Sequence, residues 1–480
     1  MKKNFVVQAA YVLSINLLIK PVYLFAIDRN IQLLVGDRYG MYYTFFSMAF
    51  IVNILSDMGI QNFNLRFSSQ HPQLIPKNFS KLLGLKLWLG LVFFAAYFFF
   101  GVFQAYPFDE PLLFFLVGMV LWLNSLLLFL RSNIAARGWY FLDSTLSAMD
   151  KLLMILICGV FLMVDSLRTI LTIEKFVIFQ LIAYLVPIFI AFIALNRFSV
   201  RLLPMTRRLF SMAILKKSLP YAVVVLLMSI YARIDSVMLA WIHPLQELAV
   251  DDYAKSFRIL EALNMFGFLL SGLLLPMFSK LFKRGQIPAG LFYSAQGLSA
   301  AVVVPVVVTG HLFSEELMQL LYYDSGTSGI LEWHLLAFGV NTISYVFGTL
   351  ITAQGSIHKL NVLFLAGCVL NIGLNYFVIP ARGPEGAAMT TVVTQLFILA
   401  GQAVFAYRWL YLRFDWQSWL RYFIYGLLIV FVVDPINLWL EEVWYFKAFL
   451  IFVFAAVASF ALRVISWVEL TSLVRTKFSE

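Results

Sequence analysis

Ten ionisable side chains lie inside long apolar runs of this chain, and their chemistry is what the rest of the sequence must accommodate. The bases are Lys20, Lys86, Lys151, Arg233, Lys255 and Arg258. The acids are Asp57, Asp150, Asp235 and Glu261. A charge near mid-bilayer costs at least roughly 2.5–3.5 kcal/mol on insertion scales, so such a group faces a partner or a watery cavity. Lysines and arginines so placed suit an anion, and carboxylates suit a coupling cation. Enzymatic patterns are missing: there is no Walker loop, no HExxH and no GxSxG. His71, His243, His311, His334 and His358 fall in loops or at span ends without ligand spacing, which reads as surface or interfacial histidine. Cys158 and Cys368 each sit in an apolar run, as buried small hydrophobes rather than as a disulfide or thiolate metal site.

The elements that must position these groups are helices in a bilayer. Of 480 residues 62% are apolar and 12% charged, with mean hydropathy +0.88. No stretch is long and polar enough for a soluble catalytic domain, and the runs are continuous rather than alternating, which excludes a β-barrel. Fourteen helical runs are expected, near 6–27, 39–60, 80–103, 111–131, 146–164, 174–195, 219–241, 253–279, 290–312, 333–353, 359–379, 386–407, 418–433 and 445–466. Lys2-Lys3 before an apolar run resembles a signal peptide, but no small-residue cleavage site follows, so the run is read as a retained first helix. Alternate connections differ in charge. One set, which includes both termini, carries 23 basic residues and four acids. The other carries six bases and seventeen acids. The positive-inside rule places the first set, with both termini, in the cytoplasm. The net charge of +10 is therefore mostly an address for that face, not a nucleic-acid footprint.

The expected organisation is a six-helix bundle over 1–195, a basic cytoplasmic linker at 196–218, a second six-helix bundle over 219–410, and two additional helices with a cytoplasmic tail over 411–480. The halves echo each other. Asp37-Arg38-Tyr39 opens run two and Asp251-Asp252-Tyr253 opens run eight. Ile134-Ala135-Ala136-Arg137-Gly138 follows run four and Ile351-Thr352-Ala353-Gln354-Gly355 follows run ten. Six helices per unit is even, so both halves enter from one side, a parallel repeat suited to alternating access.

Depth sorts the charges. Lys20 lies roughly 21 Å into run one at 1.5 Å per residue, too deep to snorkel easily inward. It reads as a cavity cation, or as a lysine snorkelling outward or paired with another helix. Arg233 and Asp235 share the outer half of run seven, Arg258 and Glu261 that of run eight. Two readings stand side by side for them: a structural ion-pair cluster, and a cavity wall whose bases meet substrate and whose acids meet a coupling cation. Asp57, Lys86, Asp150 and Lys151 suit interfacial snorkelling or local pairing. Arg66, Arg131 and Arg137 stand at the inner mouth, as positive-inside charge or as capture points for an entering pyrophosphate. The 81 aromatics (48 Phe, 22 Tyr and 11 Trp) mostly suit lipid contact and packing.

The stretch Ala232-Arg233-Ile234-Asp235-Ser236-Val237-Met238-Leu239, then Asp252-Tyr253-Ala254-Lys255-Ser256-Phe257-Arg258-Ile259-Leu260-Glu261, resembles the Wzx-type O-antigen and capsule flippases of the multidrug/oligosaccharidyl-lipid/polysaccharide exporter superfamily. Leu275-Pro276-Met277-Phe278-Ser279-Lys280, Asn371-Ile372-Gly373-Leu374-Asn375 and Gly386-Ala387-Ala388 extend the likeness, as do Tyr39-Gly40-Met41-Tyr42 and Asp57-Met58-Gly59-Ile60-Gln61-Asn62-Phe63. The resemblance implies two six-helix bundles plus two helices. It implies movement of an undecaprenyl-pyrophosphate-linked oligosaccharide across the bacterial cytoplasmic (inner) membrane, with membrane lipids and polysaccharide-assembly proteins as partners and no nucleic acid. It also implies a cationic cavity, no bound cofactor, and coupling to a proton or sodium gradient in some members. Lys20, Arg233 and Arg258 fit that cavity as substrate-binding cations, and Asp235 and Glu261 as ion-coupling or structural pairing acids. A multidrug cation antiporter of the same superfamily is the nearest alternative. A polyprenol-dependent glycosyltransferase or polymerase would need larger outer segments than these.

Overall fold

In a computed structural model the described residues are 19–61, 64, 72–197, 208–439 and 443–465. They are almost entirely helical, with no strand among them. The first helix, α1 (19–35), contains a π-helical turn, Tyr23–Asp28, and continues through Arg29–Val35 to Gly36. It outruns the expected end at residue 27, while 6–18 lies outside the described residues. The second, α2 (Arg38–Val52), breaks at Asn53 and resumes as Ile54–Asp57 before a left-handed pair, Met58 and Gly59. Next come α3 (Ile75–Val102), α4 (Pro111–Ala136), α5 (Tyr140–Met163), α6 (Ile173–Asn196), α7 (Arg208–Ile242), α8 (Gln246–Lys283), α9 (Ala289–Leu312) and α10 (Ser328–Gln354). Ile357–Trp409 folds as one helical stretch, interrupted where Gly383 takes φ 53° and ψ −134°, which divides it into α11 (357–382) and α12 (384–409). The last two are α13 (Trp416–Trp439) and α14 (Trp444–Ala461).

Eleven of these stretches are long and apolar enough to cross a membrane. Dividing the longest at Gly383, and counting the broken α2 and the first run, gives the fourteen expected. The protein is an all-α, multi-pass membrane protein of about fourteen helices. Several helices outrun their expected spans. For α8, 38 residues give about 57 Å at 1.5 Å per residue, well beyond a hydrocarbon core of about 30 Å. Its polar ends, Gln246–Glu247 and Lys280–Lys283, pass beyond the apolar stretch that hydropathy detects.

Packing divides the chain into two compact units, 1–254 and 255–480. This division follows packing, whereas the expected boundary at 196–218 followed the register of the repeat; residues 198–207 of that linker lie outside the described residues, and 208–218 belong to α7. In the first unit the core runs through α3, α4 and α6, with Phe79, Leu89, Phe129, Leu130 and Ala191 buried. In the second, α9, α10 and α12 bury Phe292, Phe347, Leu350 and Ala406. A separate cluster seats Tyr425 and Ile429 of α13 and Ile451 and Ala455 of α14 against Val304 and Val308 of α9.

Candidate functional site

In the first unit the aromatic residues of α2 follow helical spacing, so Tyr39, Tyr43, Phe46 and Phe50 fall along one face. Their rings stack in succession, at centroid separations of 6.3, 6.4 and 6.2 Å. Arg233 of α7 lies on this wall. Its guanidinium is 5.4 Å from the Tyr43 ring and 5.2 Å from those of Phe46 and Phe50. It donates a 2.6 Å hydrogen bond to the Tyr43 hydroxyl and is only 5% exposed. Desolvated cation–π contacts of this kind are each worth up to about 2 kcal/mol, so the wall offsets part of the cost of burying the charge. Composition had assigned these aromatics to lipid and packing. The i, i+4, i+7, i+11 spacing in 39–50 was the signal that could have found them.

Two aspartates in this unit accept from tyrosines of the following helix, Tyr39 in the first turn of α2 and Tyr253, the eighth residue of α8. The Tyr39 hydroxyl donates to Asp28 Oδ2 at 2.7 Å, and the Tyr253 hydroxyl donates to Asp235 Oδ2 at 3.1 Å. All four residues are buried. Tyr39 and Tyr253 are the matched tyrosines of the sequence echo, and each donates to an aspartate of the preceding helix, 11 residues before Tyr39 and 18 before Tyr253. Nearby, Gln32 Nε2 donates to Asp251 Oδ1 at 2.8 Å and to its carbonyl at 3.2 Å.

Lys86, fully buried on α3, donates to Asp57 Oδ1 at 2.6 Å and to Ser125 Oγ of α4 at 2.7 Å. Of snorkelling and local pairing, the structure shows pairing. Lys20 is half-buried, attracted by Asp150 and repelled by Lys151 and Arg131. Arg131 Nε donates to Asp143 Oδ1 at 2.8 Å, across the turn between α4 and α5. Arg137 follows the last residue of α4, where partial burial lowers its pKa from the ordinary arginine value. Arg66 lies outside the described residues. At the opposite end, Arg38 joins Glu110 at 2.9 Å and Glu174 at 2.5 Å.

In the second unit Arg258 and Glu261 pair on one face of α8, at 2.9 Å. Lys255 reaches Asp324 at 2.9 Å. His334 is no surface histidine: it is 1% exposed, hydrogen-bonded through Nδ1 to Ser256 Oγ at 2.8 Å and edge-on to Phe257. It lay one residue into the expected run at 333–353 and looked terminal, but α10 starts earlier, at Ser328, and a short helix, Ser314–Tyr322, packs over that end. Sequence reasoning also missed buried amides and hydroxyls on α11 and α12. Asn375 Nδ2 donates to Asn371 Oδ1 at 3.2 Å, and the Thr390 hydroxyl donates to Asn375 Oδ1. Both cysteines are buried and neither forms a disulfide. Among the described residues no group of three or more His, Cys, Asp or Glu side chains is placed to hold a metal ion.

Buried cations on long apolar helices define a multi-pass membrane protein, and comparison with solved structures places its fold. The backbone superposes on the lipid II flippase MurJ in an inward closed conformation, with TM-score 0.68 over 95% of this chain and 98% of that one at 14% identity. It also superposes on an inward-facing multidrug resistance MATE family transporter of the MOP superfamily, with TM-score 0.57 over 84% and 95% at 14% identity. By sequence, residues 4–282 match the polysaccharide biosynthesis protein family, and the chain belongs to it. An uncharacterized membrane protein of Methanocaldococcus jannaschii is 23% identical over 218 residues, 43% of this chain. The match spans 42% of that curated relative's length.

Proposed function

We propose that this protein is a flippase that moves a polyprenyl-pyrophosphate-linked oligosaccharide across the bacterial cytoplasmic membrane by alternating access, for assembly of a cell-surface polysaccharide. Both termini are cytoplasmic, and the protein breaks no covalent bond. The observation that carries this reading is membership of the polysaccharide biosynthesis family. The likeness of fold to a lipid II flippase supports it. A pyrophosphate sugar meets a very large desolvation barrier in hydrocarbon, which fixed cations in a wet cleft would lower while the polyprenyl tail stays in lipid. In this reading Arg66, Arg131 and Arg137 gather the pyrophosphate at the inner mouth, and Lys20, Arg233 and Arg258 hold it during passage. Asp235 and Glu261 either couple the movement to a proton or sodium gradient or keep the arginines in place.

The test is deletion of the gene followed by extraction of lipid-linked sugars from each leaflet. Build-up on the cytoplasmic leaflet, reversed by the wild-type gene, is the expected outcome. Full rescue by Arg233→Ala and Arg258→Ala at normal protein level would overturn the assignment of the cations. Unchanged lipid-linked sugars together with lost drug resistance would favour a multidrug antiporter.

A further inference from the structure

We propose that the second unit carries, at its basic end, a site for the phosphate of an anionic phospholipid headgroup. A cavity of about 400 Å³ opens there, and none of the site residues named above lines it. Its charged lining comes from three separate segments: Arg413 and Asp415 from the connection before α13, Arg421 from α13, and Arg463 from the turn after α14. Three guanidinium groups thus meet one carboxylate.

That carboxylate is already engaged. Asp415 Oδ1 accepts from the backbone N–H of Gln417 at 3.1 Å and of Ser418 at 3.3 Å, and Oδ2 accepts from the Ser418 hydroxyl at 2.6 Å. It caps the start of α13, and those hydrogen bonds hold its pKa below the ordinary carboxylate value. The side chains of Arg413, Arg421 and Arg463 make no hydrogen bond or ion pair among the described residues. Their backbone frame is nevertheless fixed. The Tyr293 hydroxyl donates to the Arg413 carbonyl at 2.7 Å and accepts from Asp415 N–H at 2.9 Å, while the Tyr422 hydroxyl donates to the Tyr293 carbonyl at 2.7 Å. Arg463 itself takes a left-handed φ of 55°, and the carbonyl of Val464 beside it lies so close to Gly297 of α9 that a Cβ there would sit 2.3 Å away. Three arginines around a tyrosine-braced cavity, of which Arg421 also acts electrostatically on Asp415, suit the several oxygens of one phosphate, which guanidinium groups bind through paired hydrogen bonds.

A headgroup is favoured over a soluble anion by what surrounds the cavity. The long faces of α13 and α14 are apolar and largely exposed, so they lie in lipid. Trp409, Tyr411 and Trp416 are exposed around the same connection, as in an interfacial belt. Basic pockets between transmembrane helices recognise lipid headgroups in this setting.

The experiment uses the full chain in neutral detergent, with native mass spectrometry reading retained lipid on addition of phosphatidylglycerol, phosphatidylcholine or inorganic phosphate. Wild-type protein should retain phosphatidylglycerol over phosphatidylcholine by at least about tenfold, and the variant R413Q/R421Q/R463Q should lose that preference. Arg408→Gln, a charge on the last turn of α12 outside the cavity, should keep it. Where the triple variant does not elute as folded protein, Arg463→Gln alone, at an exposed position, should lower the preference several-fold. Equal loss in Arg408→Gln would reduce the effect to diffuse charge and overturn the proposal. Binding of inorganic phosphate with no retained phosphatidylglycerol would overturn it in favour of a soluble anion. Neither result bears on flipping, which the leaflet assay reads separately.

Discussion

Lys86→Met removes the cation from a fully buried pair and leaves Asp57 behind. At 2.6 Å and an effective dielectric constant of 20 the direct attraction is about 6 kcal/mol, set against a desolvation cost of several kcal/mol for each ion. The net worth of the pair is therefore small, but breaking it from one side costs about 3–5 kcal/mol. Asp57 keeps 16% side-chain exposure and a hydrogen bond from Gln61 N–H at 3.1 Å, which puts Lys86→Met near the lower end, about 3 kcal/mol. Asp57→Asn strands the lysine instead, and Lys86 has no exposure to fall back on, so that variant should cost at least as much. With both substitutions no unpaired charge remains, and most of the loss should return. Equilibrium unfolding in mixed micelles, followed by tryptophan fluorescence, gives the cycle. The expected coupling is about 2 kcal/mol or more. Coupling below about 0.5 kcal/mol, or a Lys86→Met protein as stable as wild type, would refute the argument that this pair clasps the broken end of α2 to α3 and α4.

Gly40→Ala should destabilise by about 1–3 kcal/mol or more in the same assay, because its Cβ would lie 1.9 Å from the backbone oxygen of Glu247, which cannot swing aside. Tyr43→Phe keeps the ring under Arg233 but removes the hydroxyl, and should cost about 1.5–3 kcal/mol, the range for a hydrogen bond to a charged group. Asp415→Ala should cost about 1 kcal/mol as a lost helix cap. Because the folded protein holds the Asp415 pKa below 3.8, the wild-type cap contributes fully above that pH and is lost as pH falls through the folded value; a stability profile that falls at higher pH than this would argue against the cap.

Hydropathy read the helices well, since lipid imposes continuous apolar stretches whatever the packing. It erred at the ends and breaks. The last polar turns of α8 and the first turns of α7 extend past the apolar stretches, so hydropathy does not mark them as helix. The break in α2 is set by local backbone geometry at 53–59, which a charge map does not see. The candidate charges were legible by depth, and pairs on one helix face, Arg258 with Glu261, by spacing. Partners on other helices were not: Lys86 finds Asp57 across 29 residues and Arg233 finds Tyr43 across 190. The aromatic wall was hidden among 81 aromatics, most of which do face lipid or packing.

The π-helical turn at Tyr23–Asp28 has a further consequence for chain length. In this turn the Arg29 N–H reaches back five residues, to the Leu24 carbonyl, instead of four. Such a turn holds one residue more than an α-helix needs between the same two flanks. A one-residue deletion inside 23–28 would let it relax to ordinary α geometry with Lys20 and Gln32 still facing their present neighbours. The same deletion three or four residues later would turn one flank by about 100° relative to the other and break the seat of Gln32 on Asp251. This segment of α1 can therefore absorb a change in length that its neighbours cannot.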